Sequence, residues 1–128
     1  MLRYLFDTHV LIRWLKAPDE LPVKVTNLIR SKNIKYISIV SLWEIVIKQN
    51  LKKLDLNYNI DQILVKLSES NVEIISIDYE HLKIYSGLPL HHRDPFDRML
   101  IATSIADKIT IVTSDVNIQK YDVDWVWL

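Results

Sequence analysis

Leu2, Tyr4, Leu5 and Phe6 form an apolar run without alternation that ends in Asp7-Thr8-His9, and Val10–Leu15 follow. A dense apolar run of strand length, closed by a small polar turn, reads as a buried strand feeding a helix. Strands that lack alternation are covered on both faces, as in parallel sheets flanked by helices. The same rhythm recurs along the chain. A helix over Val10–Lys16 is ended by Ala17-Pro18, and a second opens at Glu20-Leu21-Pro22 with Val23, Val25, Leu28 and Ile29 as its apolar side. Ile34 to Val40 predicts a second strand, and Ser41 then caps a helix over Leu42–Asn50. Ile60–Ser70 carries the helical stripe Ile63, Leu64 and Leu67. Val72–Ile77 predicts a third strand, and Tyr79–Ser86 a short helix broken at Gly87-Leu88-Pro89. Asp94-Pro95 opens a long helix to about Asp107, Ile109–Thr113 is a fourth strand, Asp115–Lys120 a short helix and Asp124–Leu128 a last strand. Strands alternating with helices predict an α/β fold, a three-layer α/β/α sandwich on a mostly parallel sheet, as one domain over residues 1–128.

Composition narrows the chemistry. The chain has no cysteine, which excludes disulfides and thiolate metal sites and is compatible with a reducing cytoplasm. Gly87 is its only glycine, so neither a dinucleotide fingerprint nor a phosphate-binding P-loop is present. Phosphate, if handled, is handled by side chains or a metal. No stretch approaches the roughly 20 apolar residues of a membrane span, and Asp7 and His9 interrupt the N-terminal apolar run, which argues against a signal peptide. Sixteen basic and sixteen acidic residues cancel, so nucleic-acid binding needs a local basic patch rather than bulk charge.

Acids mark the junctions between elements. Asp7 follows the first strand, Glu44 stands in the first turn of the helix after the second, Asp94 and Asp97 start the long helix, and Asp115 follows the fourth strand. Taken singly each reads most simply as a helix cap or, for Glu44, as an i,i+4 partner of Lys48. Taken together they fall at one edge of a parallel sheet, where ligands bind. Carboxylates gathered there repel and raise one another's pKa values unless a cation intervenes. Oxygen donors without thiolates or a histidine cage suit Mg²⁺ or Mn²⁺, the usual equipment for phosphodiester chemistry.

Four strings carry a further resemblance. Leu5-Phe6-Asp7-Thr8-His9-Val10-Leu11, Ile37-Ser38-Ile39-Val40-Ser41-Leu42-Trp43-Glu44-Ile45, Asp94-Pro95-Phe96-Asp97-Arg98-Met99-Leu100-Ile101-Ala102 and Thr113-Ser114-Asp115 stand in the order and spacing of PIN-domain ribonucleases. The chain most resembles the VapC-type toxins of toxin–antitoxin pairs. That resemblance implies a metal-dependent endoribonuclease that leaves a 5′-phosphate and a 3′-hydroxyl. It places the acidic set on Asp7, Glu44, Asp97 and Asp115, holding Mg²⁺ or Mn²⁺. Asp94 lies outside that set, as a helix cap or outer ligand. Thr8, Ser41, Thr113 and Ser114 are expected to hold the carboxylates or a water by hydrogen bonds. Expected partners are an RNA substrate, a small cognate antitoxin and a second copy of the chain, with no membrane.

The remaining polar residues have competing readings. Arg98 and Arg93 flank the long helix's acids and either contact RNA phosphates or compensate those acids. Lys48 and Lys52 belong to the main basic cluster, an RNA-tracking patch or a solvated helix end. His9 reads as a helix residue beside the pocket, His81 as helix surface, and His91-His92 as a solvated loop. Trp14 with the Val23–Ile29 stripe suggests a dimer or antitoxin surface, and Trp125 and Trp127 suggest core or sheet-edge packing. A haloacid-dehalogenase-type phosphatase needs a second Asp where His9 stands. A receiver domain needs an adjacent acidic pair and a late lysine. A non-catalytic RNA-binding scaffold has no need of all four acids.

Overall fold

A computed structural model describes residues 2–127. Strands β1 (Arg3–Phe6), β2 (Ile34–Ser38), β3 (Val72–Ile75), β4 (Thr110–Val112) and β5 (Trp125–Val126) form one sheet in the order β3-β2-β1-β4-β5. Every pairing is parallel, with Leu5 opposite Tyr36 on one side and Ile111 on the other. The helices are α1 (Thr8–Lys16), α2 (Val23–Arg30), α3 (Ile39–Asn50), α4 (Ile60–Glu69), α5 (Tyr79–Ser86), α6 (Pro95–Asp107) and α7 (Val116–Gln119), with a 3₁₀ turn at Pro18–Glu20.

Successive residues of β1 explain the missing alternation. Leu5 packs on one face with Leu100, Ile101, Ile111 and Ile118, whereas Phe6 packs on the other with Val10, Leu11, Val25 and Ile63. Both faces are covered, so both residues are buried. The expected three-layer architecture is the one observed.

Two local expectations shift. β2 ends at Ser38, whose hydroxyl accepts the Val40 N–H at 3.1 Å and caps α3. Ile39 and Val40 look β-prone, but the cap starts the helix before them. Ser41 is therefore a helix-interior residue and not the cap, and Glu44 sits in the second turn and not the first. Trp14 and the Val23–Ile29 stripe form a free surface only at Val23, which is exposed. Val25, Leu28 and Ile29 lie in the core, and the half-buried Trp14 packs against it with the Lys66 ammonium 5.0 Å from its ring centre.

Lys35 on β2 is buried at 2% exposure. Its Nζ donates to the carbonyls of Ile29, Ser31 and Ser70, at the C-terminal ends of α2 and α4, where backbone acceptors lack helical partners. Burial pushes its pKa down.

Candidate metal centre

The strand order reverses direction at β1, whose neighbours are β2 and β4. Crevices outside the carboxyl ends of strands at such a point are where α/β folds bind ligands. Asp7 follows β1 there and caps α1: Oδ1 accepts the Val10 N–H at 2.8 Å, and Oδ2 accepts the Thr113 hydroxyl at 2.5 Å. Thr113, just past β4, also accepts the Asp115 N–H at 3.0 Å. One hydroxyl thus ties together the acids at the ends of two adjacent strands. Asp115 in turn caps α7, its Oδ1 accepting the Asn117 N–H at 2.8 Å.

Glu44 on α3 is buried, and its Oε2 accepts from Lys48 Nζ at 2.6 Å. Asp94 caps α6 through Oδ1, which accepts from the N–H groups of Phe96 and Asp97 at 2.8 and 3.0 Å. That cap places Asp97 in the first turn of α6, buried and facing the other acids. One donor oxygen each from Glu44, Asp94 and Asp97 lie within 4.8 Å of one another, and the same holds for one donor atom each from His92, Asp97 and Asp115. Asp97 belongs to both groups. Asp7 belongs to neither by distance, because its oxygens turn toward Val10 and Thr113, yet its charge is felt at Asp97.

The electrostatics follow from this crowding. Burial, then Asp94, Asp7 and Glu44, push Asp97 up to about 7, against the opposing pull of His92. Burial also raises Asp7, although the Thr113 hydroxyl and the Val10 N–H oppose it. Burial works to raise Asp115 too, but the Asn117 N–H and the His92 ring outweigh it and hold that carboxyl below the usual range. Lys48 is raised by its hydrogen bond to Glu44. A cluster of oxygen donors with more negative charge than its neighbours neutralise fits a hard divalent cation such as Mg²⁺ or Mn²⁺. Asp94 stands with the shared Asp97 at the start of α6, Glu44 comes from α3 and Asp115 from the start of α7.

The supporting residues divide. Thr113 holds Asp7 as expected, but Thr8 and Ser41 bond to each other at 2.8 Å, joining α1 to α3, and neither is hydrogen-bonded to a carboxylate. Ser114 is exposed. Arg98 is engaged within the fold. Its guanidinium is buried, donating to the carbonyls of Pro89 at 2.9 Å and Leu88 at 3.3 Å and to the Tyr121 hydroxyl at 3.2 Å, 4.9 Å from the Tyr85 ring centre. Lys48 is engaged with Glu44, whereas Arg93 and Lys52 are exposed at the surface.

Two histidines depart from expectation. His92 is not solvated loop: its Nε2 lies 3.0 Å from Asp97 Oδ2 and 3.1 Å from Asp115 Oδ2. His81 is not helix surface but buried, between the Asp78 N–H at 3.1 Å and Asp107 Oδ2 at 2.9 Å. The one sequence signal for His92 is its place two residues before a helix-capping Asp. His9 is exposed in the first turn of α1, and its charge lowers Asp7.

Similar arrangements are found in solved structures. VapBC2 from Rickettsia felis, bound to a DNA fragment from its promoter, is 19% identical with a TM-score of 0.69, covering 98% of each chain. FitAcB from Neisseria gonorrhoeae is 18% identical with a TM-score of 0.68 over 95% of each. A toxin–antitoxin complex from Klebsiella pneumoniae is 16% identical with a TM-score of 0.64, over 97% of this chain and 96% of the other. No curated protein matches the chain in sequence. Residues 4–124 match the PIN domain as a family, nearly the whole chain and every acid of the cluster, and the protein belongs to that family.

Proposed function

We propose that this protein is a Mg²⁺- or Mn²⁺-dependent endoribonuclease and the toxin of a toxin–antitoxin pair. The observation that carries the reading is the convergence of Glu44, Asp94 and Asp115 on the buried Asp97 carboxyl, raised to about 7, with Asp7 pinned beside Thr113. In this reading Asp7, Glu44, Asp97 and Asp115 hold the cation, directly or through water. When bound, the ion supplies positive charge against the scissile phosphate and makes water more acidic. The chain's own groups fix the ligands. Thr113 and the Val10 N–H leave Asp7 one orientation, and the Asp94 cap aims Asp97 inward. Arg93 and Lys52, both exposed, are left to follow the RNA backbone.

Belonging to the PIN domain family, and likeness to toxin–antitoxin assemblies, support the toxin reading. An apolar groove of about 380 Å³ between α3 and α4, lined by Ile39, Trp43, Val46, Ile60, Leu64 and Ile74, supports a protein partner, a small antitoxin or a second copy. Among the described residues no helix is long and apolar enough to cross a membrane; the toxin reading itself places the activity in the cytoplasm. The test is cleavage of an RNA panel with Mg²⁺, with Mn²⁺ and with chelator. Metal-dependent cuts leaving 5′-phosphate ends are expected. An RNA panel left intact by folded protein with either ion would overturn the nuclease reading. Release of phosphate from small phosphoesters would favour the phosphatase class instead.

A further inference from the structure

We infer that His92 is a positioning residue whose imidazole donates from Nε2 to Asp115, lies against Asp97, and holds that pair at the spacing a divalent ion needs. The inference rests on the nuclease reading above. It begins with the other ring nitrogen. His92 Nδ1 accepts the Asp94 N–H at 3.2 Å, so Nδ1 carries a lone pair and the ring proton sits on Nε2. That proton goes to Asp115 Oδ2 at 3.1 Å, and Asp97 Oδ2 lies 3.0 Å from the same nitrogen. Ligation of the ion by Nε2 would need the proton on Nδ1, where it would point at the Asp94 N–H. The ring is therefore a donor beside the cluster and not a ligand within it.

The loop that carries His92 is anchored. Its N–H donates to the Tyr121 hydroxyl at 2.9 Å, and that hydroxyl donates to the Pro89 carbonyl at 2.7 Å. Arg98 binds the same carbonyl at 2.9 Å. Arg98 from α6 and Tyr121 from the segment after α7 thus seat residues 88–92 and aim the ring. Asp97 and Asp115 come from different elements, and like charges on them repel. A donor bonded to Asp115 and lying against Asp97 offsets that repulsion and fixes which Asp115 oxygen faces the ring. Groups that orient ligating carboxylates in this way change metal affinity by roughly 10–100-fold when removed.

The experiment is calorimetric titration of metal-free protein with Mn²⁺ for the wild type, His92→Ala, His92→Gln and Tyr121→Phe. It is paired with ¹⁵N NMR of the imidazoles before metal is added. A proton on His92 Nε2 is expected, with Mn²⁺ affinity lowered roughly 10–100-fold in His92→Ala. His92→Gln, whose amide N–H has a similar reach, recovers most of that loss, and Tyr121→Phe falls between. Mn²⁺ binding in His92→Ala as tight as wild type, or tighter, overturns the inference and makes the ring a competitor of the ion. A proton on Nδ1 overturns it as well. Should His92→Ala unfold, the tautomer and the His92→Gln isotherm decide, a Gln variant that loses the affinity counting against. A folded wild type that takes up no Mn²⁺ overturns the nuclease reading itself.

Discussion

The two ends of α6 each set a histidine against carboxyl groups, with different results. At the C-terminal end, His81 accepts the Asp78 N–H on Nδ1 and faces Asp107 Oδ2 from Nε2. The Asp107 carbonyl accepts from Arg3 at the start of β1, and the Asp78 carboxylate, 3.6 Å from the ring, accepts the His81 N–H, so each group at this end has its partner. At the N-terminal end, His92 uses its nitrogens in the same way, against an amide on one side and acids on the other. There the single ring meets Asp97 and Asp115, while Asp94 and Glu44 crowd in behind with Lys48 on Glu44 alone. The imidazole chemistry is shared, and the surplus of carboxylate is not. A polar network in balance reads as structure; one with uncompensated negative charge in a crevice reads as a cation site.

The comparison breaks most sharply at Asp7. Asp7→Asn is expected to lower RNA cleavage by more than the roughly 100-fold seen for losing an outer partner of a metal site. Asn keeps the acceptor for the Val10 N–H but gives up the one for the Thr113 hydroxyl, so the variant should fold with at most a modest drop in melting temperature; cleavage at wild-type rate would remove Asp7 from the site. The next effect is on stability against pH in the absence of metal. Asp97 titrates near 3.8 in the unfolded chain and at about 7 in the folded one. Between these values the native state binds more protons, so unfolding free energy falls as pH rises, by a few kcal/mol at most at ~1.4 kcal/mol per unit. Asp115, held low, works the other way and loses its contribution only in acid. Denaturant melts from pH 4 to 8 should show the decline, and Asp97→Asn or added Mn²⁺ should flatten it.

His81 offers the converse test. His81→Ala removes a buried, doubly bonded ring and should destabilise by about 2–4 kcal/mol through the stranded carboxylate and the cavity. Mn²⁺ affinity of the folded variant should stay at the wild-type value, since Asp107 belongs to the other end of α6; a weakened isotherm would show that the two ends are coupled. Smallest is Lys48→Met. Its side chain is 39% exposed but the Glu44 carboxylate it bonds is buried, so removing the ammonium should cost about 1 kcal/mol. Mn²⁺ should bind more tightly once a competing positive charge is gone, the opposite of the result expected at His92.

Much of this was legible in the chain. Unalternating apolar runs between helical stripes determined the parallel sheet, because a strand covered on both faces has no polar side to show. Asp7, Glu44, Asp94, Asp97 and Asp115 were visible as acids at element ends, because capping and parallel topology bring such ends to one edge. The start of α3 was not, because Ile39 and Val40 have strand propensity and only the Ser38 side chain decides for the helix. Nor were the partners of Thr8, His81, His92 and Arg98, which lie far along the chain or across a loop. Local sequence determined which groups were acidic and where each helix carried them. Tertiary packing alone decided which donors met those acids, because a hydrogen bond across elements depends on distances that no periodicity encodes.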